Sequence, residues 1–230
     1  MTNAEDSMNR TAAYTTARPD VVEMVPTAAM RILDVGCSNG MLGQGLRSMR
    51  KGRTVFGVEI DHEFAREAGT KLDGVVCADV NVLDWKTVVP GTQFDCIVFA
   101  DVLEHLTDPS RHLTEARQRL APGGCLVISL PNIRHISSLY SIFLRGTFPA
   151  RDRGIFDRTH VRWFTIGDTK SLVSDLGMSV DCVSYILRMG DVGGGRWNRL
   201  VNRLPQAVQR WFLFREFLTY QFCIRATSCS

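Results

Sequence analysis

The segment ILDVGCSNGMLGQGL, from Ile32 to Leu46, decides the fold of this chain. It begins with an apolar run that contains one acid, Asp34, and continues through the small residues GCSNG of 36–40 into a helical pattern. This order predicts a buried parallel strand, a tight turn and a helix that begins at the turn. Glycines allow a ligand to approach the backbone closely, and a helix start offers free N–H groups. The turn is therefore a candidate ligand-binding loop.

Further apolar segments follow, and acids stand where they end. The predicted second, third and fourth strands are Val55–Ile60, Val75–Val80 and Phe94–Asp101, and they carry Glu59, Asp79 and Asp101. A fifth, Cys125–Leu130, follows Pro122-Gly123-Gly124, which we expect to close a helix. A carboxylate about 20 residues after the turn can accept both hydroxyls of a ribose, although an isolated acid at a strand end is more often solvated. The acid of the third strand can accept a hydrogen bond from an exocyclic amine.

In order and spacing, residues 31–132 resemble the class I S-adenosylmethionine (SAM)-dependent methyltransferases. The resemblance implies a SAM loop, a carboxylate on the ribose, an adenine site and a site for the methionine end. The residues that it implies, in that order, are Asp34, Gly36, Ser38 and Gly40, then Glu59 and Ile60, then Asp79 and Val80, then Ala100 and Asp101. The family usually has glycine at the position of Ser38. Either Ser38 keeps a negative φ there or it tolerates modest strain, and Asn39 can also adopt a left-handed conformation.

A dinucleotide is the rival ligand for such a turn. The dinucleotide fingerprint G-x-G-x-x-G, counted from Gly36, requires glycine at the positions of Ser38 and Met41. Two of its three glycines are therefore missing, and the pattern favours SAM over NAD.

The resemblance implies an α/β, Rossmann-like fold with a seven-stranded, mostly parallel sheet, helices on both faces and a small helical cap. Met178–Leu187 and Phe217–Ala226 are the predicted sixth and seventh strands, and Thr165 is predicted to cap a helix that ends at Gly177. We expect a mobile terminus over 1–16 and one domain over 17–230. Cap insertions are expected at about 133–163 and 189–216. The first insertion follows the fifth strand, so we expect it to cover the acceptor.

The composition is that of a soluble enzyme. The chain has 230 residues, a formal net charge of +3 and 45% hydrophobic residues, which implies no bulk affinity for nucleic acid. No apolar run reaches the roughly 18 residues of a membrane span, and the N-terminus lacks an apolar signal core. The seven cysteines are scattered, without a C-x-x-C pair. They indicate reduced thiols and a cytoplasmic protein.

The segment DRTHVRWFT, from Asp157 to Thr165, resembles a stretch of a methyltransferase subgroup often associated with bacterial surface sugars, glycolipids or other secondary metabolites. In an extended run, Arg158, His160 and Arg162 would share one face. His160 is the leading candidate for a catalytic base. The alternative is that Arg and Asp side chains pair to hold the cap and that His160 is structural.

A second cluster, Asp101-Val102-Leu103-Glu104-His105, resembles the acid-x-x-Glu-His segment of ubiquinone-pathway O-methyltransferases. His105 is the second candidate base. Asp101, Glu104 and His105 could together hold Mg, Mn or Zn. We expect no metal, because Glu-His after the fourth strand is widespread in methyltransferases that lack one. His135 is a weaker candidate base, and His62 and His112 are predicted on solvated helix surfaces.

The segment RWNRLVNRLPQAVQRWFLFREF, at 196–217, makes up almost all of 195–216 and alternates arginines with apolar side chains at near-helical spacing. Such a segment can rest on an anionic membrane surface. The alternative, which we favour, is a cap or a homodimer contact over the sheet edge.

The predicted function is SAM-dependent O-methylation of a sugar, glycolipid or secondary-metabolite acceptor. The protein must align a small-molecule or glycan acceptor with the S–CH3 bond and, for a hydroxyl, remove a proton. A quinone, phenol or amine acceptor is the first alternative. A non-catalytic SAM-binding partner protein is the second.

Overall fold

A computed structural model describes residues 18–190, 198 and 211–228. The predictions for the terminus 1–16, and for most of the segment 195–216, lie outside these residues. Helices are numbered below over the described part of the chain alone.

The described strands form one sheet of seven. Their bounds are β1 Arg31–Val35, β2 Thr54–Glu59, β3 Gly74–Cys77, β4 Phe94–Ala100, β5 Leu120–Pro131, β6 Met178–Leu187 and β7 Thr219–Ser228. The strand order is β3-β2-β1-β4-β5-β7-β6. The first five strands pair in parallel, and β7 is antiparallel to both of its neighbours. The predicted seven-stranded, mostly parallel sheet is confirmed.

Helices cover both faces of the sheet. Their bounds are α1 Pro19–Val22, α2 Met41–Ser48, α3 His62–Ala68, α4 Pro109–Gln118, α5 Ile136–Leu139, α6 Ile166–Asp175 and α7 Phe212–Leu218. Along β1, Leu33 packs with side chains from α4 and α6, whereas Ile32 packs with side chains from α1, α2 and α3. Successive side chains of a strand point to opposite faces. The continuous apolar run of β1 is therefore explained by burial on both sides.

Several predicted element boundaries are wrong, among them the end of β3, which stops at Cys77 and leaves Asp79 and Val80 beyond the strand. The segment Pro122-Gly123-Gly124 does not close a helix, because α4 ends at Gln118 and β5 already begins at Leu120. Phe94 pairs with Leu120, but Cys96 pairs with Cys125, so β5 bulges over the proline and glycines. The seventh strand begins two residues later than predicted, because Phe217 belongs to α7.

The insertion after β5 contains little regular structure. After α5 the chain forms one wide π-helical segment over Tyr140–Leu144, and Gly146 follows with a φ of +62°. Residues 151 and 157 then form an isolated bridge that closes a loop. The insertion is thus helical up to Leu144, and its remainder is irregular.

The helix after the insertion is anchored at its first turn. Thr165 Oγ1 accepts a hydrogen bond of 3.1 Å from the N–H of Asp168, and the Asp168 carboxylate accepts one of 3.0 Å from the N–H of Thr165. This reciprocal pair satisfies two N–H groups that a helix start leaves free. The predicted cap at Thr165 is confirmed.

None of the helices in the described ranges has the length and apolarity needed to cross a membrane. The cytoplasmic location stays a prediction.

Replacing Thr165 by alanine should lower the free energy of unfolding by about 0.5–2 kcal/mol, because the first turn of α6 loses its side-chain acceptor. Urea denaturation measures this change. Thr165→Ser keeps the oxygen and is the control. An alanine variant as stable as the serine variant would show that the cap contributes nothing.

Candidate functional site

A cavity of about 1410 Å³ opens at the carboxyl edge of the parallel strands. Of the ten side chains and glycines predicted for the cofactor, all but Gly40 line it. Gly40 lies at the start of α2 with a φ of +79°, and a Cβ there would lie 3.0 Å from the Cα of Ala68. Its place is therefore explained by the packing of α2 against α3. The cavity confirms that the acids of separate strands meet at one edge of the sheet, as expected for parallel α/β folds.

The turn after β1 is held by β2. The N–H groups of Gly36 and Cys37 donate to the carbonyl of Val58, at 2.8 and 3.0 Å. Ser38 has a φ of +48°, so the strained alternative applies, and Asn39 is absent from the described residues with positive φ. The Ser38 N–H donates to Glu59 Oε2 at 2.8 Å, a bond to a charged acceptor that offsets the strain.

Gly36 is required by the protein as well as by any ligand. It has a φ of +71°, and a Cβ at this position would lie 2.5 Å from Val102 Cγ2. A larger residue would displace Val102 before it met a ligand.

Glu59 joins the turn to the cavity. Its second oxygen accepts a hydrogen bond of 2.9 Å from the N–H of Asp61, and the residue is 7% exposed. A carboxylate offers about four acceptor sites. Two backbone donors therefore leave capacity for the two hydroxyls of a ribose.

Asp34 is the most unusual acid of the site. It is 1% exposed, and neither carboxylate oxygen has a hydrogen-bond partner among the described residues. Burial, reinforced by the negative charge of Glu59 and opposed by Arg18, raises the pKa of Asp34 to about 7. Buried polar atoms without partners are costly, so the carboxyl is ready to accept donors from a bound molecule.

The far end of the cavity combines polar and apolar groups. Asp79 Oδ1 accepts a 2.8 Å hydrogen bond from the N–H of Asn81, which fixes the carboxylate. Ile60 is 61% exposed although it is a large apolar side chain, and Val80 lies on the same cavity. Apolar surface beside a fixed carboxylate suits a flat heterocycle with an exocyclic amine.

Asp101 is held by residues distant in sequence. Its carboxylate receives hydrogen bonds from the Arg18 guanidinium, the Gln221 side chain and the Ser129 hydroxyl. Arg18 also donates to Asp20 at 2.7 Å. Sequence reasoning missed Arg18 and Gln221, and no local motif marks either residue.

The alternative metal set Asp101, Glu104 and His105 is not assembled. Among the described residues, the group whose ligand atoms lie within 4.8 Å of one another is Glu104, His105 and His160. Asp101 is committed to Arg18 and Gln221 instead. The absence of a metal stays a prediction.

The two predicted base candidates meet. The rings of His105 and His160 lie edge to face with centroids 4.8 Å apart, and both line the cavity. His160 Nε2 lies 3.9 Å from Glu104 Oε1. Burial and the neighbouring His105 lower the pKa of His160, whereas burial and the charge of Asp101 raise the pKa of Glu104.

Backbone hydrogen bonds hold the segment 157–165 next to Glu104 and His105. It is not extended, because residues 157–160 form a turn in which the N–H of His160 donates to the carbonyl of Asp157 at 3.0 Å. The N–H groups of Val161 and Arg162 donate to the carbonyl of Glu104. The prediction of one face shared by three basic side chains is wrong. Arg158 pairs with Asp152 on the surface.

Two other histidines have structural roles. His135 is fully buried, and its Nε2 lies 2.8 Å from the carbonyl of Arg188, outside the cavity lining. His112 is 1% exposed and lies 3.2 Å from the indole nitrogen of Trp85, so its predicted solvation is wrong.

Comparison with known proteins identifies relatives of this fold and sequence. Residues 8–183 match the family described as "Methyltransferase domain". The chain is 28% identical to ubiquinone biosynthesis O-methyltransferase of Dechloromonas aromatica over 127 residues, which cover 52% of each protein. It is 25% identical to the protein of the same name from Psychrobacter arcticus over 74% of this chain and 67% of the relative. The chain spans about half the length of the first curated relatives that it matches.

Solved structures share the fold. A SAM-dependent methyltransferase from Archaeoglobus fulgidus superposes with a TM-score of 0.61 at 18% identity, covering 95% of this chain and 94% of that one. Magnesium protoporphyrin IX methyltransferase from Synechocystis PCC 6803, with bound SAH, gives a TM-score of 0.62 at 16% identity, covering 100% and 89%. At these identities the likeness concerns the fold alone.

Glu59→Ala should weaken the binding of S-adenosylhomocysteine (SAH) at least tenfold. We expect the variant to lose hydrogen bonds to the ribose of about 1.5–3 kcal/mol each, and it also loses the bond that holds the turn at Ser38. Isothermal titration calorimetry measures the affinity. Glu63→Ala, on the exposed start of α3, is the matched control. Unchanged affinity in a folded Glu59 variant contradicts the assignment.

Asp34 should make the stability of the free protein depend on pH. The folded protein binds its proton more tightly than the unfolded chain, whose pKa for this group is 3.8, so stability falls as the pH rises between 3.8 and about 7. From about pH 5 to about pH 7, the wild type should lose roughly 2 kcal/mol relative to Asp34→Asn, which stays neutral. Urea denaturation at both pH values tests this. Parallel pH dependence in the two proteins would refute it.

Proposed function

The chain belongs to the methyltransferase-domain family, and from this premise we propose that it is a SAM-dependent methyltransferase that methylates a hydroxyl oxygen of a small sugar, glycolipid or secondary-metabolite acceptor. The observation that carries the proposal is the pair of imidazoles at the cavity. A sugar hydroxyl is a weak acid, so its methylation benefits from a base.

The hydrogen bonds of the two rings favour the same tautomer in each, with the hydrogen on Nδ1. His160 Nδ1 lies 3.2 Å from the carbonyl of Ile155, and His105 Nδ1 lies 3.2 Å from the carbonyl of Thr159. A carbonyl only accepts, so each Nδ1 carries the hydrogen in the neutral ring. The lone pair then lies on Nε2 of both rings, where it can take a proton from the acceptor.

The lowered pKa of His160 keeps that ring neutral at neutral pH. The raised pKa of Glu104 disfavours its ionised form, which weakens the stabilisation that its charge could give to an imidazolium. His160 is therefore poised as a base. The side chain of His160 is only 6% exposed, and His105, which lines the same cavity, is the alternative point of contact with the acceptor.

The donor side of the cavity fits SAM. When bound, SAM supplies a methyl group on a cationic sulfonium. We assign Glu59 to the ribose and Asp79 to the adenine amine. The unpartnered carboxyl of Asp34 lies between these groups and Asp101 on the cavity wall.

A quinone or phenol acceptor is the second candidate, and the exposed surface of the insertion favours it. Tyr140, Phe143 and Leu144 are 54%, 76% and 78% exposed, which is unusual for three such side chains in one turn. The names of the curated relatives point to the same class. Nucleic acid is not proposed as a partner, and contact of 195–216 with a membrane or a second copy stays a prediction.

His160→Ala should lower turnover of aliphatic hydroxyl acceptors by about 10²–10⁴ while SAH affinity stays nearly unchanged. The wild-type rate should fall as the pH drops through the pKa of His160, which lies below the ordinary value of 6.5, and this limb should vanish in the variant. Conversion of SAM to SAH across a panel of sugars and phenols measures turnover.

His105→Ala identifies which ring receives the proton, and His62→Ala, on the exposed face of α3, is the control. A phenol is more acidic than a sugar hydroxyl and needs less help from a base. The variants should therefore lose less turnover with a phenol than with a sugar. Full turnover of sugars by the variants of both cavity histidines would eliminate imidazole catalysis.

A further inference from the structure

Three arginines line the part of the cavity wall that the insertion and the end of β6 form. The acids predicted for SAM come from β1 to β4 and the turns that follow them. Arginines enter from the other side, on the loop 151–154 and at the end of β6. The arginines on this second side are Arg151, Arg153 and Arg188.

Arg188 is held in place by an aromatic ring. Its guanidinium carbon lies 4.6 Å from the centroid of the Tyr220 ring, and the residue is half-buried. Within the described ranges, no carboxylate forms an ion pair with it. Stacking on an aromatic face leaves the N–H donors at the guanidinium edge available.

Arg153 reaches the same region from the insertion. Its neighbour Gly154 has a φ of +81°, and a Cβ there would lie 2.5 Å from the Tyr220 hydroxyl, so this loop packs directly against Tyr220. The adjacent acid, Asp152, pairs with Arg158. Arg153 is exposed and has no ion-pair partner in the part of the chain that the structure describes.

Arg18 differs from these two arginines because its charge is paired. It lines the cavity too, but its guanidinium is bound by Asp20 and Asp101. Arg153 and Arg188, which have no ion-pair partner among the described residues, therefore bring positive charge to the wall around Tyr220. Guanidinium forks match the geometry of carboxylate and phosphate oxygens, and a concave site strengthens their field.

We propose that Arg153 and Arg188 bind an oxyanion, a carboxylate or a phosphate, on the methyl acceptor. The inference rests on the proposed function and narrows its acceptor to anionic molecules. Anchoring one end of the acceptor beside Tyr220 would orient its hydroxyl group, as the transfer of a methyl group requires.

Calorimetry of the SAH complex of the full chain tests this with matched probes. The pairs are 3,4-dihydroxybenzoate with neutral 3,4-dihydroxybenzamide, and phenyl phosphate with neutral phenol. At least one anion should bind tenfold or more tightly than its neutral counterpart. The pair of probes with the larger ratio of anion affinity to neutral affinity shows whether the site prefers a carboxylate or a phosphate.

Variants assign the site. Arg188→Met and Arg153→Met should each lose most of the anion preference without changing SAH affinity, and Arg188→Lys should retain part of it. Arg111→Met, on the exposed face of α4 outside the cavity, is the matched control. Thermal unfolding confirms that each variant is folded.

The outcomes separate the two proposals. Failure of the wild type to bind SAH would overturn the proposed function and this inference with it. If SAH binds but the anions bind no better than their neutral counterparts, or do not bind at all, the oxyanion site alone is refuted. Loss of preference in the Arg111 variant, or its persistence in both cavity variants, would also refute it.

Discussion

The hydrogen bond from the N–H of Ser38 to Glu59 Oε2 is the constraint on which the donor half of the site depends. It fixes a non-glycine residue at positive φ and ties the turn after β1 to the end of β2. The same carboxylate holds the N–H of Asp61, which starts α3. One acid therefore sets the relative positions of two turns, and the cavity floor lies between them.

Much of the donor half could be predicted from the sequence, because its strands depend on patterns within short segments of the chain. Five apolar runs that end in acids or small residues specify parallel strands, and parallel strands bring their carboxyl ends to one edge. The bounds of β6 and the cap at Thr165 followed from apolar patterning and from one Ser/Thr-type capping position. The start of β5 could not be predicted, since its bulge is set by pairing with β4.

The remainder depends on contacts between residues distant in sequence. His112 is buried because it meets Trp85, 27 residues away, and nothing in its helix marks this partner. Asp101 looked like a metal ligand beside Glu104 and His105, but Arg18 and Gln221 hold it. His160 joins His105 because the loop 157–165 turns instead of extending. The acceptor side belongs to these irregular segments, which explains why the sequence pattern specifies the donor more sharply than the acceptor.

The position of β7 has a consequence for how the protein is made. This strand follows β6 in the chain, yet it lies between β5 and β6 and supplies Tyr220 and Gln221 to the cavity. Until it leaves the ribosome, β5 has an open edge, and unpaired edges template association between chains. The donor half can form early from consecutive strands, whereas the acceptor half must wait for β7. A nascent chain of this protein is thus exposed to aggregation at the edge of β5 until β7 has been synthesised.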